Sequence, residues 1–145
     1  MVNQTANSKY RFSDIYYDYT LYNWTKYLYI KTCFELKMEP RPLNAGSYGF
    51  DLYASIFGCI LKYISNTNNP VLENAARLGH EEWSIIYKHW RDCVSNRNSR
   101  SFSERNNKLA DTSYDELSDD FKNMNLVFAK AIFNELGIRY YIKKM

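Results

Sequence analysis

Apolar residues along this chain recur at spacings of three and four rather than two, and that period predicts helices from end to end. The first 12 residues are polar and are expected to fray. Ser13 offers a cap, after which Tyr17, Leu21, Trp24, Leu28, Ile30 and Phe34 place an apolar stripe on a helix reaching about Lys37. Pro40 and Pro42 should end it, because proline removes a donor and restricts the residue before it. Residues 44–49 read as loop. A second helix is expected from about Ser47 to Ser65, with Leu52, Ile56, Ile60 and Tyr63 or Ile64 in register and Gly58 and Cys59 small enough for close helix contact. The polar run 66–69 breaks it.

Asn69 as cap and Pro70 at the first helical position announce a third helix. It runs to about Arg91, with Leu72, Ala76, Gly79, Trp83, Tyr87 and Trp90 along one face. Residues 92–112 then read as a long polar connection, and loops beyond about 12–15 residues in compact domains are often functional or disordered. Ser113 and Glu116 fit a capping box for a short turn. Ser118 caps a last helix extending to Leu136, with Asp119 and Asp120 where carboxylates favour the helix dipole and Gly137 as its stop. Phe121, Met124, Phe128, Ile132 and Leu136 should face inward. The tail, 138–145, reads as a short extended segment or a helical stub. The pattern thus predicts an all-α fold, a single domain (1–145) of about four main helices with one long polar loop. No internal repeat is visible. The break at 66–70 is the best boundary within the domain, but each half alone would bury too little to fold.

Composition changes this picture in one respect. At 145 residues, 46% hydrophobic and 24% charged, the chain is ordinary for one domain. Its 14 Tyr, 8 Phe and 3 Trp are not ordinary. Each buried ring removes roughly 150–250 Å² from water, so few residues can build a core. Tyr is also at home on a half-exposed, adhesive surface, and an AT-rich coding sequence alone would enrich it. The net charge of +3 is mild, short of the dense basic face of a nucleic-acid domain. Cys33, Cys59 and Cys93 are widely spaced, form no CxxC pair and match no zinc spacing. They fit buried free thiols in a reducing compartment. No apolar run approaches the roughly 18 residues of a membrane span, and the N-terminus lacks a signal-peptide core. A cytoplasmic location without membrane association is therefore expected.

Catalytic constellations are missing: no Gly-rich phosphate loop, no nucleophile elbow, no His-Glu-x-x-His. Glu81 and Glu82 are adjacent on a helix and diverge by about 100°, so they cannot flank one bond. His80 and His89 lie about two and a half turns apart and cannot share a metal. Neither a metal nor a cofactor is expected, and the chain reads as a binding module rather than an enzyme.

The candidate site is a groove between helices 69–91 and 118–136, rimmed by the basic connection. His80 and Trp83 are one turn apart and can face it together. They equally fit a core Trp with a satisfied histidine. Between Lys88 and Lys108 stand six basic residues (Lys88, Arg91, Arg97, Arg100, Arg105, Lys108) against two acids, Asp92 and Glu104. This is either an anion site with forked Arg donors or a solvated loop, and the acids that follow, Asp111, Asp115, Glu116, Asp119 and Asp120, could cancel its field. For a nucleotide-like ligand, Trp83 or Trp90 would stack, His80 would make a polar contact, and Arg91 or Lys108 would meet phosphate.

Residues 69–137 also carry motifs in a familiar order. Leu72-Glu73-Asn74-Ala75-Ala76-Arg77-Leu78-Gly79-His80-Glu81-Glu82-Trp83 is followed by Trp90, a polar loop and Asn107-Lys108-Leu109. Then come Tyr114-Asp115-Glu116-Leu117-Ser118-Asp119-Asp120-Phe121-Lys122-Asn123-Met124-Asn125 and a helix ending Glu135-Leu136-Gly137. This stretch, slightly under half the chain, resembles the ryanodine-receptor repeat, a helical domain of calcium-release channels found also as single copies in microbial, phage and viral proteins. His89 stands where that family usually has Gly, and Ser118 where it tends to have Pro, departures that concern loop geometry more than helices. The resemblance implies a binding and docking element without catalytic residues. Two alternatives remain. One is a viral host-interaction protein that binds a partner helix in the manner of a Bcl-2-like bundle, although Asn23-Trp24 continues as Thr25-Lys26 and lacks that groove's Asn-Trp-Gly-Arg motif. The other is a weak RNA binder, for which the acidic run interrupts the necessary basic face.

Overall fold

A computed structural model describes residues 21–44, 46–93 and 102–137. In order they form α1 (Leu21–Glu35), α2 (Tyr48–Ser65), α3 (Leu72–Arg91), α4 (Glu104–Ala110), a 3-10 turn (Tyr114–Glu116) and α5 (Asp119–Glu135). The all-α expectation holds, with no strand among the described residues. None of these helices is long and apolar enough to cross a membrane. Ser13, Tyr17, the frayed start and the tail 138–145 lie outside the described residues, as does the stretch 94–101.

Helix α3 is the axis of the fold. It packs most extensively on α2 and next on α5, while α1 leans on both α5 and α2. The shared core is built from Leu28, Ile56, Phe57, Ile60, Ile64, Leu72, Ile132 and Phe133, all essentially sealed from water. Each such side chain contributes about 1.5–3 kcal/mol of burial. A smaller cluster of Ala76, Tyr114 and Leu117 seats the 3-10 turn on α3.

Helix α2 follows its predicted register. Ser47 accepts a hydrogen bond from the Phe50 amide (3.2 Å), and Leu52, Ile56, Ile60 and Ile64 are buried. Ser118 caps α5 in the same way, from the Phe121 amide, and Gly137 ends it with φ +67°. Ser113 does meet Glu116, side chain to side chain at 2.9 Å.

Five expectations need correction. In α1, Trp24 and Leu28 are buried, but Ile30 is 50% and Phe34 82% exposed. The buried face runs instead through Trp24, Thr25, Leu28, Tyr29, Thr32 and Cys33. Threonine counts as polar in a pattern, yet the Thr32 hydroxyl donates to the Leu28 carbonyl at 2.8 Å and so enters the core satisfied. The helix also stops before its prolines. Lys37 takes a left-handed conformation (φ 56°), with Met38 N–H donating to the Cys33 carbonyl (2.9 Å) and Lys37 N–H to that of Phe34 (3.2 Å). That is a Schellman end made without glycine.

At the start of α3, Val71 rather than Asn69 is the cap, and Pro70 lies outside the helix. The Val71 amide donates to the Tyr63 hydroxyl at 2.9 Å, which holds this residue extended. The close helix contact falls at Gly79, not Gly58. A Cβ on Gly79 would touch Ile60 and Ile56 at 3.4 and 3.6 Å, whereas one on Gly58 would meet nothing. Finally, the connection 92–112 is not loop throughout. Ser103 accepts from the Asn106 amide and opens α4, a helix whose sequence, ERNNKLA, has too few apolar residues to show a period.

Candidate functional site

A cleft of about 360 Å³ opens between α3 and α5, where the sequence placed it, with α2 and α4 as further walls. Helix α2 contributes Tyr48, Leu52 and Tyr53, α3 contributes His80 and Trp83, and α4 contributes Arg105, Asn106 and Leu109. Leu117, Phe121, Met124, Asn125 and Phe128 close the far side, and Arg41 enters from the connector between α1 and α2.

Each wall is held by identifiable contacts. Arg41 sits between Pro40 and Pro42, and its amide donates to the Tyr29 hydroxyl at 3.0 Å. Tyr29 in turn packs on Tyr53, ring centroids 4.5 Å apart, so the connector is fastened to the cleft floor. Helix α4 is fastened to α3: the Tyr87 hydroxyl donates to Asn107 Oδ1 (2.7 Å), and Lys88 pairs with Asp111 (3.0 Å). Phe102, just before α4, lies between Tyr48 and Tyr87 at 5.1 and 5.3 Å. The Arg105 guanidinium rests over the Phe121 ring at 5.1 Å, a cation–π contact that orients it at the rim. Tyr29, Tyr63 and Tyr87 thus each spend their hydroxyl on a connector or on α4, which gives part of the tyrosine excess a structural use.

His80 and Trp83 both line the cleft. His80 is buried, and its Nε2–H donates to the Thr112 carbonyl at 2.7 Å, fixing which nitrogen carries that proton. It therefore serves chiefly to tie the segment after α4 to α3. The Trp83 indole stacks with His80 (5.7 Å, 16°) and with Tyr87 (5.0 Å, 26°). Residues three before and four after Trp83 lie on opposite sides of it along the helix axis. Both faces of the indole are thereby occupied, and what Trp83 presents to the cleft is an edge. Its N–H donates to no other described residue.

The remaining expected site residues lie elsewhere. Trp90 does not line the cleft; its indole N–H donates to Asp51 Oδ2 at 2.7 Å and joins the end of α3 to the start of α2. Arg91 is likewise outside, paired with Asp92 at 3.1 Å and 6.0 Å from the Tyr87 ring centroid. Lys108 is exposed on α4, off the cleft lining. The cations that do reach the cleft are Arg41 and Arg105. Arg105 was visible in the basic run but not distinguishable within it. Arg41 carried one signal, its position between two prolines, which pins the backbone around it.

The electrostatics are one-sided. Among the described residues, two arginines line the cleft and no Asp or Glu does. Neither Arg41 nor Arg105 forms an ion pair among the described residues. The Tyr48 and Tyr53 hydroxyls also reach the cleft without a hydrogen-bond partner there. Burial pushes both phenols well above their ordinary pKa of 10.0, so they remain O–H donors at any physiological pH. The described lining thus combines two phenols with two arginines. Compared with protein-family models, with curated proteins and with solved structures, the chain matches none.

Proposed function

We propose that this protein is a non-catalytic binding module whose cleft takes a nucleotide-like ligand: a flat ring joined to an anionic group. The carrying observation is the cleft's lining: among the described residues, aromatic walls and no carboxylate, with two guanidinium groups that form no ion pair. Small-ligand sites are mostly apolar concavities with a few convergent polar groups, and this one lies at the small end of their roughly 300–1,000 Å³ range. Tyr53 and Phe128 pack on one another, ring centroids 5.8 Å apart, so the ligand ring would lie against this pair rather than between them, with Tyr48 and Phe121 beside it. The indole edge would then donate to it, with Arg41 and Arg105 at the anionic end. A docking role without turnover is also what the resemblance of 69–137 to the ryanodine-receptor repeat implies. Three unpaired cysteines, Cys33 among them fully buried, support operation in a reducing cytoplasm.

The test is a thermal-shift and calorimetric screen against nucleosides, nucleotides and other anionic aromatic compounds. A ligand at 100 times its Kd should stabilise the fold by about 2.7 kcal/mol. Trp83→Phe, which keeps the ring stack but removes the indole N–H, should weaken binding several-fold. No shift from any compound at millimolar concentration rejects the reading.

A second reading draws on α1. Tyr27, Ile30 and Phe34 are 43–82% exposed and lie three or four residues apart on one side of α1. Such a stripe supports docking of a partner's amphipathic helix, the host-interaction alternative. Phe34→Asp should abolish partner capture without changing ligand binding.

A further inference from the structure

Resting on that nucleotide-like reading, we infer that the ligand carries a single phosphomonoester, gripped between Arg41 and Arg105, rather than a di- or triphosphate chain.

The charge of the lining carries this. Two guanidinium groups stand at the cleft with no acid beside them among the described residues, and a phosphomonoester carries about −1.5 to −2 at neutral pH. The two match. A triphosphate would add roughly two further negative charges, and among the described residues the lining holds no third cation to meet them. Lys88 and Arg91 are each engaged with an aspartate outside the cleft.

Geometry points the same way. Arg41 and Arg105 come from different elements, the connector before α2 and helix α4, so they can approach one tetrahedral group from two sides. Each guanidinium presents a planar fork suited to two phosphate oxygens. The Arg41 backbone is held by the Tyr29 hydroxyl and the flanking prolines, and the Arg105 guanidinium rests on the Phe121 ring. The Tyr53 hydroxyl lies within electrostatic reach of Arg41 and stays protonated, so it can donate to the same group. At about 360 Å³, the space suits one ring system and one compact anion.

The experiment is calorimetry on the full chain with two series, adenosine and uridine, each as the nucleoside and its 5′-mono-, di- and triphosphate. In at least one series the monophosphate should bind about tenfold or more tighter than the nucleoside, the scale of a charge-assisted pair, and lengthening the chain should bring no further gain. Arg41→Gln and Arg105→Gln should each remove most of that advantage, with unchanged thermal unfolding showing that both variants are folded. A triphosphate binding tenfold tighter than the monophosphate overturns the inference but leaves the nucleotide reading standing. So does a phosphate advantage that survives both substitutions. If neither nucleosides nor any of their phosphates bind, the nucleotide reading falls and this inference with it.

Discussion

Helix α3 has a hollow on each side, and His80 lines both. On one side lies the aromatic cleft. On the other is a shallower groove lined by Arg77, Glu81, Lys88, Asp111 and Asp115, among others. The groove holds as many cations as the cleft, yet each is spent. Arg77 reaches Asp115 at 2.8 Å and Glu73 at 3.7 Å, and Lys88 reaches Asp111 at 3.0 Å. In the cleft the guanidinium groups face no acid. What separates a surface that can hold an anion from one that cannot is therefore whether its cations are paired, not how many it has. A count along residues 88–108 could not make that distinction, because the pairing acids, Asp111 and Asp115, come from outside the window.

The largest test of the comparison removes the wall that supports the cleft. Tyr87 is wholly buried, stacks under Trp83 and bonds Asn107 of α4. Tyr87→Ala should cost about 3–5 kcal/mol in denaturant unfolding, as large aromatic truncations in cores do. Tyr87→Phe keeps the stack and loses only the hydrogen bond, for about 1 kcal/mol. If the cleft depends on α4 being tethered, this milder variant should weaken ligand binding by more than its small stability loss implies, while leaving the ion-paired groove unchanged.

A pH titration comes next. Burial raises the phenols of Tyr29, Tyr53 and Tyr48 around the cleft above 10.0, and that of Tyr87 behind it. A group whose folded pKa exceeds its unfolded value binds its proton more tightly when folded, so its contribution is complete below about pH 10 and is lost as pH rises through the folded value. Stability should therefore be flat through neutral pH and fall above about 10, where the unfolded chain loses phenol protons that the fold retains. Anion affinity of the folded protein should hold in that window, because the Tyr53 phenol beside Arg41 stays protonated. Tyr87→Phe removes one of these phenols and should make the alkaline fall shallower.

Helix positions were legible where apolar period and cap agreed, as in α2 and α5, because side-chain burial and local hydrogen bonding there point the same way. They were misread where tertiary contacts replaced local signals. Val71 is held by a tyrosine eight residues away, α4 by Tyr87 on another helix, and the α1 face by threonines that bury their hydroxyls. The groove between α3 and α5 was foreseeable from two facing apolar stripes, and with it His80 and Trp83. Its chemistry was not. Lys108 is next to Leu109 in sequence, but successive helical side chains diverge by about 100°. Trp90 shares the face of Trp83 and, with Arg91, misses the cleft because it lies about two turns further along α3. Arg41 and Tyr53 belong to the half of the chain that carried no motif.

A smaller effect is expected at the end of α1. Lys37 adopts a left-handed conformation that glycine takes without strain. Lys37→Gly should be neutral to stabilising by up to about 1 kcal/mol, the relieved strain being partly offset by greater freedom in the unfolded chain. Gly58→Ala, in open space on α2, should add about 0.5–1 kcal/mol by helix propensity. Neither residue lines a hollow, so melting temperature should rise with ligand affinity unchanged.

The smallest stability change is also the most direct test of the contrast between the two hollows. Asp111 and Asp115 are about 70% exposed in their ion pairs, and exposed pairs are worth roughly 0–1 kcal/mol. Asp111→Asn together with Asp115→Asn should therefore barely lower the unfolding midpoint. It should nevertheless release Lys88 and, in large part, Arg77, giving the groove the uncompensated charge that the cleft has by default. Inorganic phosphate, titrated at low salt and followed by the amide resonances of residues 110–115, should perturb the double variant and leave the native chain unaffected there. The gain should vanish at about 0.5 M salt, since exposed charges are screened within a few ångströms at that strength. A native groove that already binds phosphate as well as the variant would mean that pairing does not silence these cations, and the argument for the cleft from its unpaired arginines would lose its force.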